Sequence, residues 1–406
     1  MLGRVLIKYL IKKNTHISQY LKILLKRMKR IETRKIIWLD ELNDEKILTF
    51  KHSRNDLNFQ PKMLMLNSNQ KNDFIAKIPE VNLYKLTNVI INTNSSNFIT
   101  TSNAIFERVK GANIAYCNYS TGIIKWHNHE NMILRYNKKK ESISNAIFLG
   151  GNGIFNYYHW LIEVSPKILL LNSALLKKYN IKHLILDKRV KKLSSFQKIL
   201  ALYFKEKDLN LEIMYSDHNI DLHVSELFYI NNENNIVFNS KEVLSSSDFS
   251  ILSKSLLSEI REIILKSNTC LSKDFPKRIF LARKENAARS YNQNEILEYF
   301  ISKDFTSIYL EDYDFYEQVS IFNNAEFIAG PSGAAWSNII FCNSHCKAIS
   351  WLPKHLSEFS IFSTLAKIND CDMRFILTSS DNPNDIHSSY YLDIENIKNL
   401  YENFIS

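Results

Sequence analysis

"EFIAGPSGAAWSNIIFCNSHCKAISWL", residues 326–352, decides the fold. Its two apolar runs, "EFIAG" (326–330) and "KAISWL" (347–352), read as buried strands, and "GAAWSNIIFC" (333–342) reads as the helix between them. Strand, helix, strand within about 27 residues is a βαβ unit, which implies parallel strands. The turn is as informative as the strands. Pro331 has no N–H for a sheet ladder and Ser332 suits an N-cap. Gly333, Ala334 and Ala335 then leave the first N–H groups of the helix unobstructed. Free N–H groups at the positive end of a helix dipole bind anions. The bland alternative is a tight β-to-α turn that merely wants glycine.

The alternation continues outward. "RIFLAR" (278–283) and "FTSIYL" (305–310) are strands; "NQNEILEYFISK" (292–303) and "DFYEQVSIFNNA" (314–325) are helices. Upstream, "NAIFLG" (145–150), "IKHLILD" (181–187), "LEIMYS" (211–216) and "ELFYI" (226–230) read as strands. Residues 156–179, 195–204 and 241–268 read as helices, the last a bridge between two halves. "NTNSSNFITTSN" (92–103) reads as a polar loop, and residues 37–110 give little pattern. In parallel sheets ligands sit beyond the carboxyl ends of the strands, so two such halves would face a cleft.

Glycine use narrows the search. The chain has eight glycines, and five fall in two clusters: Gly150, Gly151 and Gly153, then Gly330 and Gly333. Beside the second cluster, Arg283 ends a strand on the same sheet edge, with Lys284 and Arg289 in the loop. Guanidinium groups clamp phosphate oxygens, so these residues point to a diphosphate site unless they are simply solvated. Beside the first cluster, His159 and Glu163 share a helix face at i, i+4, an arrangement suited to a general base or to a structurally tethered histidine. Tyr157, Tyr158 and Trp160 read as core, with one ring free in principle to stack on a sugar. Asp312-x-Asp314 resembles a metal-holding pair. Asp314 followed by Glu317 is also a helix capping box, which explains the acids without metal. Glu311 and Glu317 are candidate ribose ligands.

Charge and cysteine content exclude other classes. The net charge of +10 resides in residues 1–36, which hold eleven Lys and Arg against one acid, Glu32. The remaining body is neutral, which argues against nucleic acid as a partner. Leu2, Val5, Leu6, Tyr9 and Leu10, then Ile17, Leu21, Leu24, Met28 and Ile31, recur at helical spacing. The segment therefore reads as a basic amphipathic helix lying on an anionic membrane surface or packed on the body. No apolar run approaches a membrane span, and no export signal is apparent. Five cysteines, an odd number, imply reduced thiols and a cytoplasmic protein. "CNSHC" (342–346) has no second ligand pair at metal-site spacing.

Three blocks, "GGNGIFNYYHWLIEVSPKILLL", "RIFLARKENAARSYNQNE" and "EQVSIFNNAEFIAGPSGAAWSNIIFC", occur in an order and at a spacing that resemble glycosyltransferase family 61. The resemblance covers roughly residues 140–355. It implies a GT-B-like α/β fold, two Rossmann-like domains facing a cleft, here with the N-terminal basic helical arm. The corresponding boundaries are 1–36 for the arm, 37–245 for an acceptor-side domain, 246–385 for a nucleotide-sugar domain and 386–406 for a C-terminal helix. The fold of residues 37–140 is inferred from the need to complete the first domain. The resemblance further implies inverting, metal-independent transfer from a nucleotide diphosphate sugar, uridine-linked, with no cofactor. The acceptor implied is a glycan or lipid-linked glycan of a bacterial capsule or lipopolysaccharide, at the inner face of the cell membrane. Arg283, Arg289, Asn292 and Glu295 match the family's arginine and asparagine–glutamate block. Gly330, Gly333 and Ala334 match its glycine turn, and His159 its histidine–tryptophan block. The implied roles are diphosphate binding for Arg283, Arg289, Ser332, Gly333 and Ala334. Asn292 would contact nucleoside or sugar, beside the ribose candidates Glu311 and Glu317 read from the residues themselves, and His159 or Glu163 is the candidate base. The chain departs from the family turn where Ser332 stands for His and Ala335 for Gly. That loss of a cation raises the alternative of a catalytically degenerate, membrane-associated scaffold or binding subunit.

Overall fold

The computed structural model describes residues 31–64, 73–106, 122–127, 131–151, 153–236, 250–284, 289–379 and 388–405. Two sheets dominate it. The first has eleven strands. Its parallel part comprises β1 (Lys139–Phe148), β2 (His183–Asp187), β3 (Glu212–Ser216) and β4 (Ile220–Ile230), in spatial order β3-β2-β1-β4. Beyond β4 the sheet turns antiparallel, starting with Val81–Ile91. The strand Ile31–Trp38 pairs antiparallel with Asn131–Arg135 and parallel with Asn103–Phe106. The helix expected over residues 1–36 is therefore corrected at its end: residues 31–36 are strand. Residues 1–30 lie outside the described residues. Period-2 and period-3.6 patterns cannot be told apart over so few residues.

The second sheet has six strands, all parallel. Five are β5 (Arg278–Leu281), β6 (Thr306–Ile308), β7 (Phe327–Pro331), β8 (Lys347–Pro353) and β9 (Asp372–Thr378), in spatial order β6-β5-β7-β8-β9. The sixth, Lys62–Met63, arrives from the N-terminal half and pairs with β9. Successive residues of β5 face opposite sides. Ile279 and Leu281 enter a core that includes Ile328, Ala348 and Leu352; Phe280 enters one with Phe300, Trp351 and Tyr401. That is why these strands read as unbroken apolar runs. The Phe280 face is covered by α4 (Gln293–Ile301) and α7 (Ile394–Ile405). The opposite face is covered by α5 (Phe315–Asn324), α6 (Ile361–Ile368) and the short helix Ala334–Phe341. The remaining helices are α1 (Ser173–Lys178), α2 (Ser194–Glu206) and α3 (Lys254–Lys266). One apolar cluster runs through both halves, joining Leu161 and Phe196 to Phe315 and Trp336.

Three other expectations are corrected. The helix over 156–179 is three pieces: a π-helix at His159–Val164, a 3-10 helix at Ser165–Leu170, and α1. Pro166 causes the break, since it has no N–H to give Ile162; the Asn234 side chain donates to the Ile162 carbonyl instead, at 3.0 Å. The bridge over 241–268 is helical only as α3, capped by Ser253, and residues 241–249 lie outside the described residues. The loop over 92–103 is interrupted by the short strand Phe98–Ile99, and within its first part Asn92, Thr93, Ser95, Ser96 and Asn97 are buried. Their own side chains satisfy the backbone: Asn92 accepts from Asn94 N–H at 3.1 Å and Ser95 from Asn97 N–H at 3.1 Å.

Candidate functional site

The strand order β6-β5-β7-β8-β9 is, in chain order, 2-1-3-4-5. It reverses between β5 and β7, and in such sheets ligands bind in the crevice at that switch point. The carboxyl end of β5 carries Arg283 and that of β7 carries Gly333. Arg283 reaches across: its Nη2 donates to the Ser332 carbonyl, and its Nη1 to the Arg289 carbonyl at 3.0 Å. Gly333 sits under both guanidinium groups. A Cβ there would lie 3.4 Å from Arg283 Nη2 and 3.8 Å from Arg289 Nη2. Gly330 is bare for another reason: a Cβ would press on Leu281 Cβ at 2.7 Å, so this glycine lets β7 lie against β5.

The turn differs in detail from expectation. Pro331 stays in register with Trp351, and its carbonyl accepts from Trp336 Nε1 at 3.0 Å. Ser332 is not the N-cap. Gly333 holds that place, in an extended conformation, and the helix Ala334–Phe341 is 3-10. Ser332 is buried and contributes its carbonyl to Arg283. The first N–H groups of the helix still have no intrahelical acceptor.

Arg289 is the electrostatic anomaly. It is mostly buried, its Nε has no partner among the described residues, and its φ of 63° is left-handed. Burial, and then the neighbouring charge of Arg283, push its pKa below the ordinary guanidinium value. Two guanidinium groups beside one another repel, and an anion placed between them is favoured by both. Gln293 fixes the pair from behind: Arg283 N–H donates to its Oε1 and its Nε2 donates to the Arg283 carbonyl, each at 2.7 Å.

The second cluster assembles beyond the carboxyl ends of β1 and β4, where the first sheet's order reverses. His159 Nδ1 and Glu163 Oε2 lie 2.6 Å apart. Glu163 is buried, and its Oε1 accepts from Ile236 N–H at 2.8 Å, just after β4. A carboxylate only accepts, so Nδ1 is the donor in this contact, and in the neutral ring Nε2 is then the acceptor. Gly153 has φ 70°, and a Cβ there would lie 2.6 Å from the His159 ring. Glycine is required twice over, for its backbone and for its missing side chain. Tyr158 and Trp160 are core residues, and Trp160 stacks on Phe196 at 5.1 Å. Burial, with the nearby Glu163 carboxylate, drives the Tyr158 phenol far above its ordinary value. Tyr157 spans the two clusters, donating to Asn338 Oδ1 at 2.6 Å in the helix that follows Gly333.

Residues 157–349 match the model of the family described as Glycosyltransferase 61. The matched segment, just under half of the chain, contains His159, Glu163, Arg283, Arg289 and Gly333. It supports glycosyltransferase family 61 and a glycosyltransferase activity. No curated protein matches the chain.

The other residues anticipated for a family 61 site lie around it. Asn292 is spent on structure, donating to Leu392 O at 2.9 Å and accepting from Leu392 N–H at 3.0 Å. Glu317 closes the capping box with Asp314 and pairs with Lys273 at 2.6 Å. Glu311 is exposed on a 3-10 turn, Leu310–Asp312, and Asp312 pairs with Lys284. Among the described residues no group of three His, Cys, Asp or Glu is arranged to hold a metal. Cys342, Cys346 and Cys371 are buried free thiols. A cavity of about 580 Å³, lined by Phe59, Lys62, Lys367 and Arg374 among others, opens at the amino end of β9. That is the edge opposite to the one where ligands of such sheets bind. Sequence reasoning missed Gln293, Asn234 and Ile236. Nothing in one sequence distinguishes Gln293 from the polar residues around it.

Proposed function

We propose that the protein is an inverting glycosyltransferase of GT-B-like architecture that uses a nucleotide diphosphate sugar, uridine-linked. The observation that carries this reading is the convergence of Arg283, Arg289 and the Gly333 helix start at the switch point of the second sheet. Donor diphosphate bridges the two guanidinium groups. His159 Nε2 takes the proton of an acceptor hydroxyl while that oxygen attacks the anomeric carbon from the face opposite the diphosphate. The bond from the anomeric carbon to the phosphate oxygen breaks, and the electron pair leaves with the nucleoside diphosphate. Charge growing on that leaving group is stabilised by donors already in place. Glu163 holds the imidazole in the needed tautomer and steadies the imidazolium. Transfer without an obligatory metal follows from the arginines taking the role of a cation, with Asp312 paired to Lys284 and Asp314 occupied as a cap.

The acceptor in this reading is a glycan or lipid-linked glycan of a bacterial surface polysaccharide, and the basic segment 1–30 holds the enzyme on the anionic inner face of the membrane. Among the described residues no helix is long and apolar enough to cross a membrane. Calorimetric titration with UDP, GDP, CDP and dTDP, with and without EDTA, tests the donor site. One nucleotide is expected to bind, indifferent to EDTA and lost in Arg283→Ala; binding by none of them removes the reading. His159→Ala is expected to lose transfer by about 10²–10⁴-fold, the usual worth of a general base. Removing residues 1–30, and so leaving the strand Ile31–Trp38 in its sheet, is expected to abolish binding to anionic liposomes without unfolding the protein.

A further inference from the structure

Phe155 is the one large apolar side chain of the His159 loop that the core leaves out. Half of its surface is exposed. It lies in the turn closed by Asn156 N–H to the Gly153 carbonyl at 2.7 Å, one helical turn ahead of His159. The ring is held in place. The Arg189 guanidinium carbon sits 4.5 Å from its centroid. Arg189 is itself anchored as few surface arginines are. Its Nε and Nη2 donate to the two oxygens of the wholly buried Asp187, at 2.8 and 2.9 Å, and Nη2 also donates to Asn94 Oδ1 at 2.6 Å. Asp187 accepts as well from Thr93 Oγ1 at 2.8 Å and from Arg189 N–H at 2.8 Å. The Nη1 group has no partner among the described residues. A side chain tethered this firmly pays little ordering entropy on binding a ligand.

Charge completes the picture. Arg189 is neutralised by Asp187, but Lys188, Lys191 and Lys192 are exposed around it at the end of β2. An open aromatic face beside free N–H donors and three lysines suits a molecule with a flat apolar side and an acidic group. A pyranose presents axial C–H groups on one face and hydroxyls at its rim; an acidic sugar adds the anion.

We propose that Phe155, Arg189 and the turn at Lys188–Lys192 form the acceptor subsite, and that it takes an acidic saccharide. The sugar ring lies on Phe155, with its carboxylate or phosphate toward Arg189 Nη1 and the lysines. This brings an acceptor hydroxyl to the His159 side of the site, opposite the donor diphosphate. The inference rests on the transferase reading above.

The test is saturation-transfer NMR on the full chain at low salt with three probes: methyl β-D-glucuronide, glucose 1-phosphate and methyl β-D-glucoside. UDP titration is run in parallel. At least one anionic probe is expected to bind several-fold more strongly than the neutral glucoside. Phe155→Ala is expected to weaken it at least ten-fold at unchanged melting temperature, and Phe155→Trp to retain it. The combined change of Lys188, Lys191 and Lys192 to Gln is expected to reduce the anionic probes to the level of the neutral one. Preference for the glucuronide over the phosphate, or the reverse, identifies which acid is read. No signal from any probe, or a signal undiminished in Phe155→Ala, overturns the subsite. Neutral and anionic probes binding alike overturns its charge selectivity. UDP binding without saccharide binding leaves the transferase reading and removes the subsite; saccharide binding without UDP binding does the opposite.

Discussion

Gln293 grips Arg283 by the backbone at both ends of its carboxamide, taking the N–H and giving to the carbonyl at 2.7 Å each. Arg283 follows β5 directly, so this clamp fixes where its guanidinium enters the crevice. Gln293→Ala leaves both Arg283 backbone groups without that partner, a cost of about 1–3 kcal/mol per unsatisfied group if water does not replace it. Nucleotide affinity is expected to fall about ten-fold or more in calorimetric titration. Gln293→Glu, which accepts but cannot donate, is expected to fall between the two.

Arg289 sets function against stability. Its charge is disfavoured by burial and by Arg283. Arg289→Met is expected to melt no lower than wild type, and higher if the left-handed backbone tolerates the change, while losing the stabilisation by UDP that wild type shows. Lower melting without ligand, with ligand stabilisation intact, would assign Arg289 a structural role.

The two glycine clusters respond differently to the same substitution. Gly153→Ala places a methyl 2.6 Å from the His159 ring on a left-handed backbone, a conformation that costs an ordinary residue about 1–2 kcal/mol. A lowered denaturation midpoint and loss of transfer are expected together. Gly333 is extended, and its Cβ would stand clear of heavy contacts at 3.4 Å. Gly333→Ala is expected to keep the midpoint and weaken nucleotide binding, because the methyl occupies the space between the guanidinium groups.

Stability at acid pH is tied to Glu233. Burial pushes its carboxyl up, but hydrogen bonds from Lys51, Arg54 and Ser253 outweigh that and hold it below the ordinary carboxylate value. A depressed carboxyl contributes fully above the unfolded value, and the contribution is lost as pH falls through the folded one. Glu233→Gln is therefore expected to destabilise by about 1–3 kcal/mol at neutral pH. The gap between the two proteins is expected to close as pH drops below the carboxylate range, measured by urea denaturation at several pH values.

The parallel second sheet was legible because both its faces are buried, and runs such as "RIFLAR" and "KAISWL" show this in any one sequence. Arg283, Gly333, His159 and Glu163 were legible because the turn and the i, i+4 spacing are local. What escaped was supplied from a distance. Residues 92–97 look like solvent loop but are buried by hydrogen bonds to partners such as Asp187 and His218, about a hundred positions away. The Ile162 carbonyl that Pro166 leaves free is met by Asn234, and the clamp on Arg283 depends on one glutamine among several polar neighbours. Asn292 carried the block's signature yet is occupied in holding Leu392. Phe155 could not be told from the buried aromatic residues beside it until their exposure was known.

The pairing of Lys62–Met63 with β9 limits how this chain can be taken apart. A single cut between the halves would strip the outer edge from the second sheet and expose the backbone of β9. Exchange of donor specificity with a relative, whether by recombination or in the laboratory, therefore needs two crossovers, with the segment around residue 62 travelling together with the C-terminal half.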